Sequence, residues 1–410
     1  MSVRLYYDDA YTVEFTARIT AQYEIEGRPA VVLDRTFFYP ESGGQPPDRG
    51  WLNETAVSNV TLHPTYGLLH WLDAPLPPTT DEVNGRINWP RRFDHMQQHT
   101  GQHILSQAFI QTANAETVGF HLTDDNLTID LSHNNLSPAD INAAETLANQ
   151  IVWQNRPIRS RFVTVDQAKQ VGLRKLPDLE NGPIRLIEIE DFDLTACGGT
   201  HVAHTGEVGL IKVIKQERRG DQLRLSFVCG QRAWQDYSQK QQVIDSLMSR
   251  LTTAATELDP AIATLQAELK QAKRQIKQQA TQLAAAEAEQ LWQTAVIHPH
   301  PTHDQLRLIS HVFTDRDPGQ LRQLASQLAQ RNNSIILFGL AGDKAQLIFA
   351  RTTDAPGDMK QLLPQALALI SPDARGGGSP LMAQGGGPAA DPNTIRQALN
   401  RAQQILLDTL

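Results

Sequence analysis

The chain has 410 residues and a formal net charge of −8, too long for one ordinary core and too acidic for its whole surface to serve a polyanion. Two cysteines, Cys197 and Cys229, exclude a disulfide scaffold and fit a reducing, cytoplasmic compartment. No apolar run approaches the roughly 20 residues that a membrane-spanning helix needs, and "MSVRLYYDDAYTVEF" lacks an apolar signal core, so no membrane partner is expected.

Residues 1–90 read as β. In "TVEFTARITAQYEI", Val13, Phe15, Ala17, Ile19, Ala21, Tyr23 and Ile25 alternate with mostly polar residues, the pattern of a half-buried strand. The runs "AVVLD", "SNVTLH" and "LLHWLD" add short strands between turn signals, which predicts a small β-barrel. From residue 91 the pattern becomes α+β. Helices are predicted at about 95–112 and over "PADINAAETLANQIVWQN". Strands are predicted over "LTIDLS", "PIRSRFVTV", "IRLIEIE", "GLIKVIKQ" and "LRLSFVCG", the last two joined by the turn "ERRGDQ". A helix starts near Gln231.

Over residues 262–292, Ile262, Leu265, Leu269, Ala272, Ile276 and Leu283 follow heptad spacing, with Gln279 inside the seam. This reads as a coiled-coil-like helix, with an ordinary amphipathic helix as the equal alternative. "IHPHPTHD" reads as a Pro-rich linker. Beyond it, strands at "LRLISHVF", "SIILFGLAG" and "KAQLIFART" alternate with helices at about 318–330 and 358–370. A glycine cluster, "RGGGSPLMAQGGGP", precedes a last helix at about 393–408. The expected organisation is therefore α+β and multidomain: a β-barrel (1–90), an α+β domain (91–235), a helical linker (236–295) and a C-terminal α/β domain (296–410).

Two motifs carry metal chemistry. His99 and His103 in "QQHTGQHILSQAF" stand four apart and so share one helical face. Cys197 and His201 in "TACGGTHVAHTG" are again four apart, with Gly198 and Gly199 between them. One thiolate and three imidazoles suit Zn2+ by softness and number. His95 and His204 flank the set and read as surface histidines, and Cys229 as a buried strand end. Asp130 reads as a solvated strand aspartate, with a supporting role behind a zinc histidine as the alternative.

These motifs, in this order, resemble an aminoacyl-tRNA editing family. "HTGQH" followed about a hundred residues later by "CGGTH" is similar to the editing domains of alanyl- and threonyl-tRNA synthetases. "FFYPESGGQPPDRG" (37–50), "RRFDHMQQHTGQHILSQAF" (91–109), "GFHLTDDNLTIDL" (119–131), "DFDLTACGGTHVAHTGEVGLIKV" (191–213) and the glycine cluster at 375–388 resemble the alanyl side. The sequence begins at the barrel, as in the free-standing alanyl-tRNA editing proteins of the AlaX type in their long form, and no ligase activity is expected.

The resemblance implies a trans-editing hydrolase that deacylates seryl-tRNA(Ala), and often glycyl-tRNA(Ala), with Zn2+ on His99, His103, Cys197 and His201. A site built for alanine rejects glycine or serine by only roughly 10–200-fold, so a second, hydrolytic site is needed. Ser42 and Gln45 of "ESGGQ" and Thr200 of "CGGTH" are the expected polar groups around the reacting ester. Gly198 and Gly199 offer backbone N–H groups to an oxyanion, while Glu41 and Asp48 read as turn formers. Candidate tRNA contacts are Arg91, Arg92, Arg159, Arg161, Lys212, Lys215, Arg218, Arg219 and Arg224, with a helical stripe of Lys270, Lys273, Arg274 and Lys277. The helical segment or the C-terminal domain is the place to look for a homodimer. Three competing readings are a zinc-stabilised tRNA-binding module without hydrolysis, a phosphoesterase, which lacks its paired-aspartate motifs here, and a threonyl-type editor.

Overall fold

The computed structural model describes residues 2–174, 183–300 and 303–409. The chain divides into two compact units, Met1–Thr252 and Thr253–Leu410. Mixed α+β architecture over several sheets agrees with the expected class.

In the first unit the alternating stretch forms the long strand Glu14–Ile25, which turns at Glu26–Gly27 into Arg28–Leu33. From Glu14–Ile25 the pairing runs through Arg28–Leu33, Gly67–Leu72, Thr55–His63, Gly50–Leu52 and Glu82–Ile87, and the last strand pairs back to the first. Leu33, Phe38, Tyr39, Leu52 and Val60 fill the interior.

A 25-residue helix, Trp89–Ala113, follows directly. It starts earlier than the apolar pattern predicts, because the Asn88 side chain caps it and Pro90 sits in its first turn. Asn114 ends it in the left-handed conformation. The helix packs on two antiparallel sheets. One has the order Ile211–Arg219, Gln222–Cys229, Leu127–Leu131, Thr117–Leu122. The other has the order Ile158–Val163, Ile184–Ile189, Asp193–Ala196. Met96, Ile104, Leu105 and Phe109 of this helix join Ile129, Leu225 and Phe227 of the first sheet in one core.

The second unit opens on the helix Leu258–Gln293. Leu269, Ile276 and Leu283 of its heptad stripe are exposed, Leu283 to 71%. A six-stranded sheet follows, in the order Val296–His300, His303–Phe313, Ser334–Leu340, Ala345–Arg351, Met382–Gly387, Arg375–Gly378. Two sequence expectations change here. The Pro-rich stretch read as a linker is a strand hairpin with His300 opposite His303, Pro301 and Thr302 lying outside the described residues. The glycine cluster forms two paired strands. Glycines suit that position because Leu363 and Leu367 press onto the backbone of Gly376 and Gly385.

Candidate metal centre and its surroundings

The helix Trp89–Ala113 runs through the middle of its unit with every residue from His95 to Ser106 buried. Its polar residues must therefore be partnered inside the protein. Gln98 exchanges two hydrogen bonds with the Cys229 backbone, at 3.0 and 2.9 Å. Arg92 is wholly buried on Asp48, with Nε 2.9 Å from Oδ1, and also donates to the carbonyls of Ala10 and Phe37. This removes Arg92 from the tRNA-facing set and makes Asp48 a buried anchor rather than a turn former.

The four predicted ligands converge. Donor atoms of His99, His103, Cys197 and His201 all lie within 4.8 Å of one another. The Cys197 sulfur is 3.4 Å from His99 Nε2 and 3.3 Å from His201 Nε2. Each ring is held from behind through Nδ1. Gln45 Oε1 faces His99 Nδ1 at 2.8 Å, the Thr100 hydroxyl faces His201 Nδ1 at 3.1 Å, and Asp193 Oδ2 lies 3.5 Å from His103 Nδ1. Because Gln45 Oε1 can only accept, His99 carries its proton on Nδ1 and turns a bare Nε2 toward the sulfur.

Electrostatics favour the thiolate. Burial raises the Cys197 thiol, but His99, His201 and His103 outweigh it and hold the pKa well below the ordinary value. Burial pushes His201 down to about 3, against the upward pull of the neighbouring Cys197. At His103 burial also lowers the pKa, but Asp193 and Cys197 more than offset it and the net shift is upward. No hydrogen bond of normal geometry satisfies the buried His103 Nδ1 or either Asp193 carboxylate oxygen. A tight His3Cys set with ring nitrogens turned inward has the donor chemistry of a cation site, and it could hold a metal ion.

Of the other predicted site residues, Gln45 and Thr200 lie beside the cluster, both buried. Gln45 Nε2 donates to the Thr200 hydroxyl at 2.8 Å, and the Thr200 N–H donates to Gln45 Oε1 at 3.1 Å. Ser42 is exposed, at the start of a tight turn in which Gly43 and Gly44 both have positive φ. Gly199 allows the closest approach, since a β-carbon there would overlap the His99 ring. Arg185 fixes this loop from below, Nη1 donating to the carbonyls of Cys197 and Gly199 at 3.1 and 2.8 Å.

Asp130 is neither the solvated strand aspartate read from sequence nor the carboxylate behind a histidine of the cluster, but is buried. Asp130 sits directly across the strand pair from Arg224 and binds it at 2.6 and 2.7 Å, away from the cluster histidines. Asp193 is the carboxylate behind His103, and sequence reasoning missed it. Its only sequence signal is its position four residues before Cys197. His95 is also not a surface histidine. It is buried, its pKa is pushed down to about 4 by burial, and both ring nitrogens lack hydrogen bonds. Most of the predicted phosphate contacts are already paired: Arg159 with Glu190, Arg161 with Glu188, Lys212 with Glu145, Lys215 with Glu217 and Arg91 with Asp124.

The profile of the threonyl and alanyl tRNA synthetase second additional domain matches residues 184–225, which include Cys197 and His201. The alanyl-tRNA editing protein AlaX-L of Pyrococcus horikoshii is 29% identical, over 94% of both chains. The chain is similar to alanyl-tRNA editing proteins. The editing protein Aarsd1-A of Xenopus laevis is 34% identical over 58% of each chain. The alanine–tRNA ligase of Pyrococcus furiosus is 29% identical over 88% of this chain, which spans only 39% of that ligase. Among solved structures, the C-Ala domain of Aquifex aeolicus alanyl-tRNA synthetase is 25% identical and matches 24% of this chain and 91% of its own, with a TM-score of 0.21. Among the described residues, no helix is long and apolar enough to cross a membrane.

Proposed function

We propose that this editing-protein homologue is a zinc-dependent hydrolase that removes serine, and glycine, from mischarged tRNA(Ala). The observation that carries the reading is the inward-facing His99, His103, Cys197 and His201 set, in a chain similar to AlaX-L over 94% of its length. The substrate ester joins an amino acid to the terminal ribose, and bound zinc would supply electrophilic assistance or an activated water. The protein's own contribution is orientation. Gln45 holds His99 with its proton on Nδ1, the Thr100 hydroxyl fixes the His201 ring, and Asp193 backs His103. Gln45 Nε2 has one proton on Thr200 and a second to offer the substrate. The Gly198 N–H is the proposed oxyanion donor, since the Gly199 N–H already donates to the Cys197 sulfur at 3.3 Å, with Ser42 at the rim of the same site.

A second reading has one specific observation in its favour: four protein donors complete a tetrahedron, the usual arrangement of structural zinc in a tRNA-binding module without hydrolysis. Deacylation of seryl-tRNA(Ala) and alanyl-tRNA(Ala) by wild type and Cys197→Ala, with zinc content measured on each, separates the two. Release of serine but not alanine, lost together with zinc in the variant, is the expected result. A folded, zinc-loaded wild type that releases neither would sink the hydrolase reading.

A further inference from the structure

Several cavities approach the metal cluster; one, along Tyr11 and His201, carries Asp8 and Asp9, and two others differ in their chemistry. The larger, about 710 Å³, reaches Gly44, Gln45 and Phe120. Of its arginines, Arg49 and Arg91 are paired with Asp124 and Arg28 lies over the Trp71 ring, while Glu41 and Asp125 add negative charge. The smaller, about 360 Å³, has Cys197 and Gly198 in its wall, with Arg4, Tyr7, Phe162 and Arg185 around them. None of its described lining residues is a carboxylate. Cys197 is also the one member of the ligand set that is only partly buried.

The smaller cavity has the parts that a nucleoside and its phosphate need. Phe162 is 49% exposed and meets Tyr7 edge-on, with 5.8 Å between ring centroids. The Arg185 guanidinium lies 5.2 Å from the Tyr7 ring centre, and its buried Nε makes no hydrogen bond. Arg4 has no ion-pair partner among the described residues. A base gains stacking energy on an open aromatic face whatever its sequence, and a free arginine at the rim takes a phosphate. The volume lies near the lower end of the roughly 300–1,000 Å³ usual for small-ligand sites, which suits one nucleoside.

We propose that the cavity formed by Arg4, Tyr7, Phe162, Arg185 and Gly198 seats the terminal nucleoside of the tRNA acceptor strand, with its base on Phe162 and its 5′-phosphate at Arg4. The seat rests on the hydrolase reading, and it points the aminoacylated ribose toward Cys197. The test measures binding of the trinucleotide CpCpA to the metal-loaded full chain by titration calorimetry, and hydrolysis of seryl-tRNA(Ala) by the same preparations. In Phe162→Ala and Arg4→Ala, CpCpA binding weakens and KM rises about tenfold while kcat stays within about twofold, and Phe162→Tyr behaves as wild type. Both residues are at the surface of the cavity, and circular dichroism confirms that the variants fold. CpCpA binding and KM unchanged in both variants overturn the seat, as does loss of binding in Arg49→Ala in their place, which assigns the nucleoside to the larger cavity. CpCpA binding that these variants weaken, in a wild type that releases no serine, upholds the seat and removes the hydrolase reading.

Discussion

At the scale of single residues, Asp193 is the test of how the metal centre is built. Its carboxylate is buried between His103 Nδ1 at 3.5 Å and Arg174 Nε at 3.1 Å. A carboxylate behind a ligand imidazole sets the ring's orientation and raises its basicity, and losing it typically costs 10–100-fold in metal affinity. Asp193→Ala is therefore expected to bind zinc about 10–100-fold more weakly in a chelator competition, with Asp193→Asn closer to wild type because its amide oxygen can still accept from Nδ1. Equal zinc affinities in all three proteins would show that the contact has no part in holding the metal. The four side chains that converge were legible in sequence because both pairs keep a four-residue spacing. Asp193 was not, since the residue it serves lies in the helix Trp89–Ala113, far away in the chain. Asp130 was the aspartate the sequence offered as an alternative for that role, and strand register places it opposite Arg224.

At the scale of elements, hydrophobic periodicity located the barrel strands because each has one wet face and one dry face. Along His95–Ser106 the sequence located the helix but not its burial, because the polar side chains there find partners distant in the chain, such as Cys229 for Gln98. The glycine cluster was equally opaque, because glycine reads as a turn whether or not its backbone is paired. The barrel also carries a pH dependence. His70 is wholly buried, with Nε2 2.9 Å from the Thr36 hydroxyl and Nδ1 3.3 Å from the Val31 carbonyl. Burial lowers its pKa to about 4, although the Val31 carbonyl pulls the other way. Between the unfolded value near 6.5 and about 4 the unfolded chain binds the extra proton, so stability falls as pH falls through this window. The slope is about 1.4 kcal/mol per pH unit for this group. Urea unfolding at pH 6.5 and pH 5 should show a drop about 2 kcal/mol larger in wild type than in His70→Asn. An identical drop in the two proteins would contradict the assignment.

At the scale of the whole molecule, the chain is two compact units, and the His3Cys cluster lies entirely in Met1–Thr252. Metal binding adds stability only to the unit that holds the ligands. Calorimetry with and without a chelator should show one transition moving to lower temperature and a second, from Thr253–Leu410, staying in place. Movement of both would mean that the units unfold together. The overall succession of β, α+β, long helix and α/β was legible because composition and periodicity change at each step. The join between units was not, since the helix Gly230–Leu251 and the helix Leu258–Gln293 give one nearly continuous helical pattern in sequence.

The chain's two thiols give a way to count. Cys229 is fully buried and burial pushes its thiol pKa up, so an alkylating reagent finds neither access nor thiolate there. Cys197 is partly open and its histidine neighbours favour the thiolate. Iodoacetamide should therefore label about one cysteine per folded metal-free chain, almost none when a cation occupies the sulfur, and both once the chain unfolds. A single mass spectrum of the labelled protein then reports metal occupancy and integrity of the fold together, sample by sample, with no substrate required.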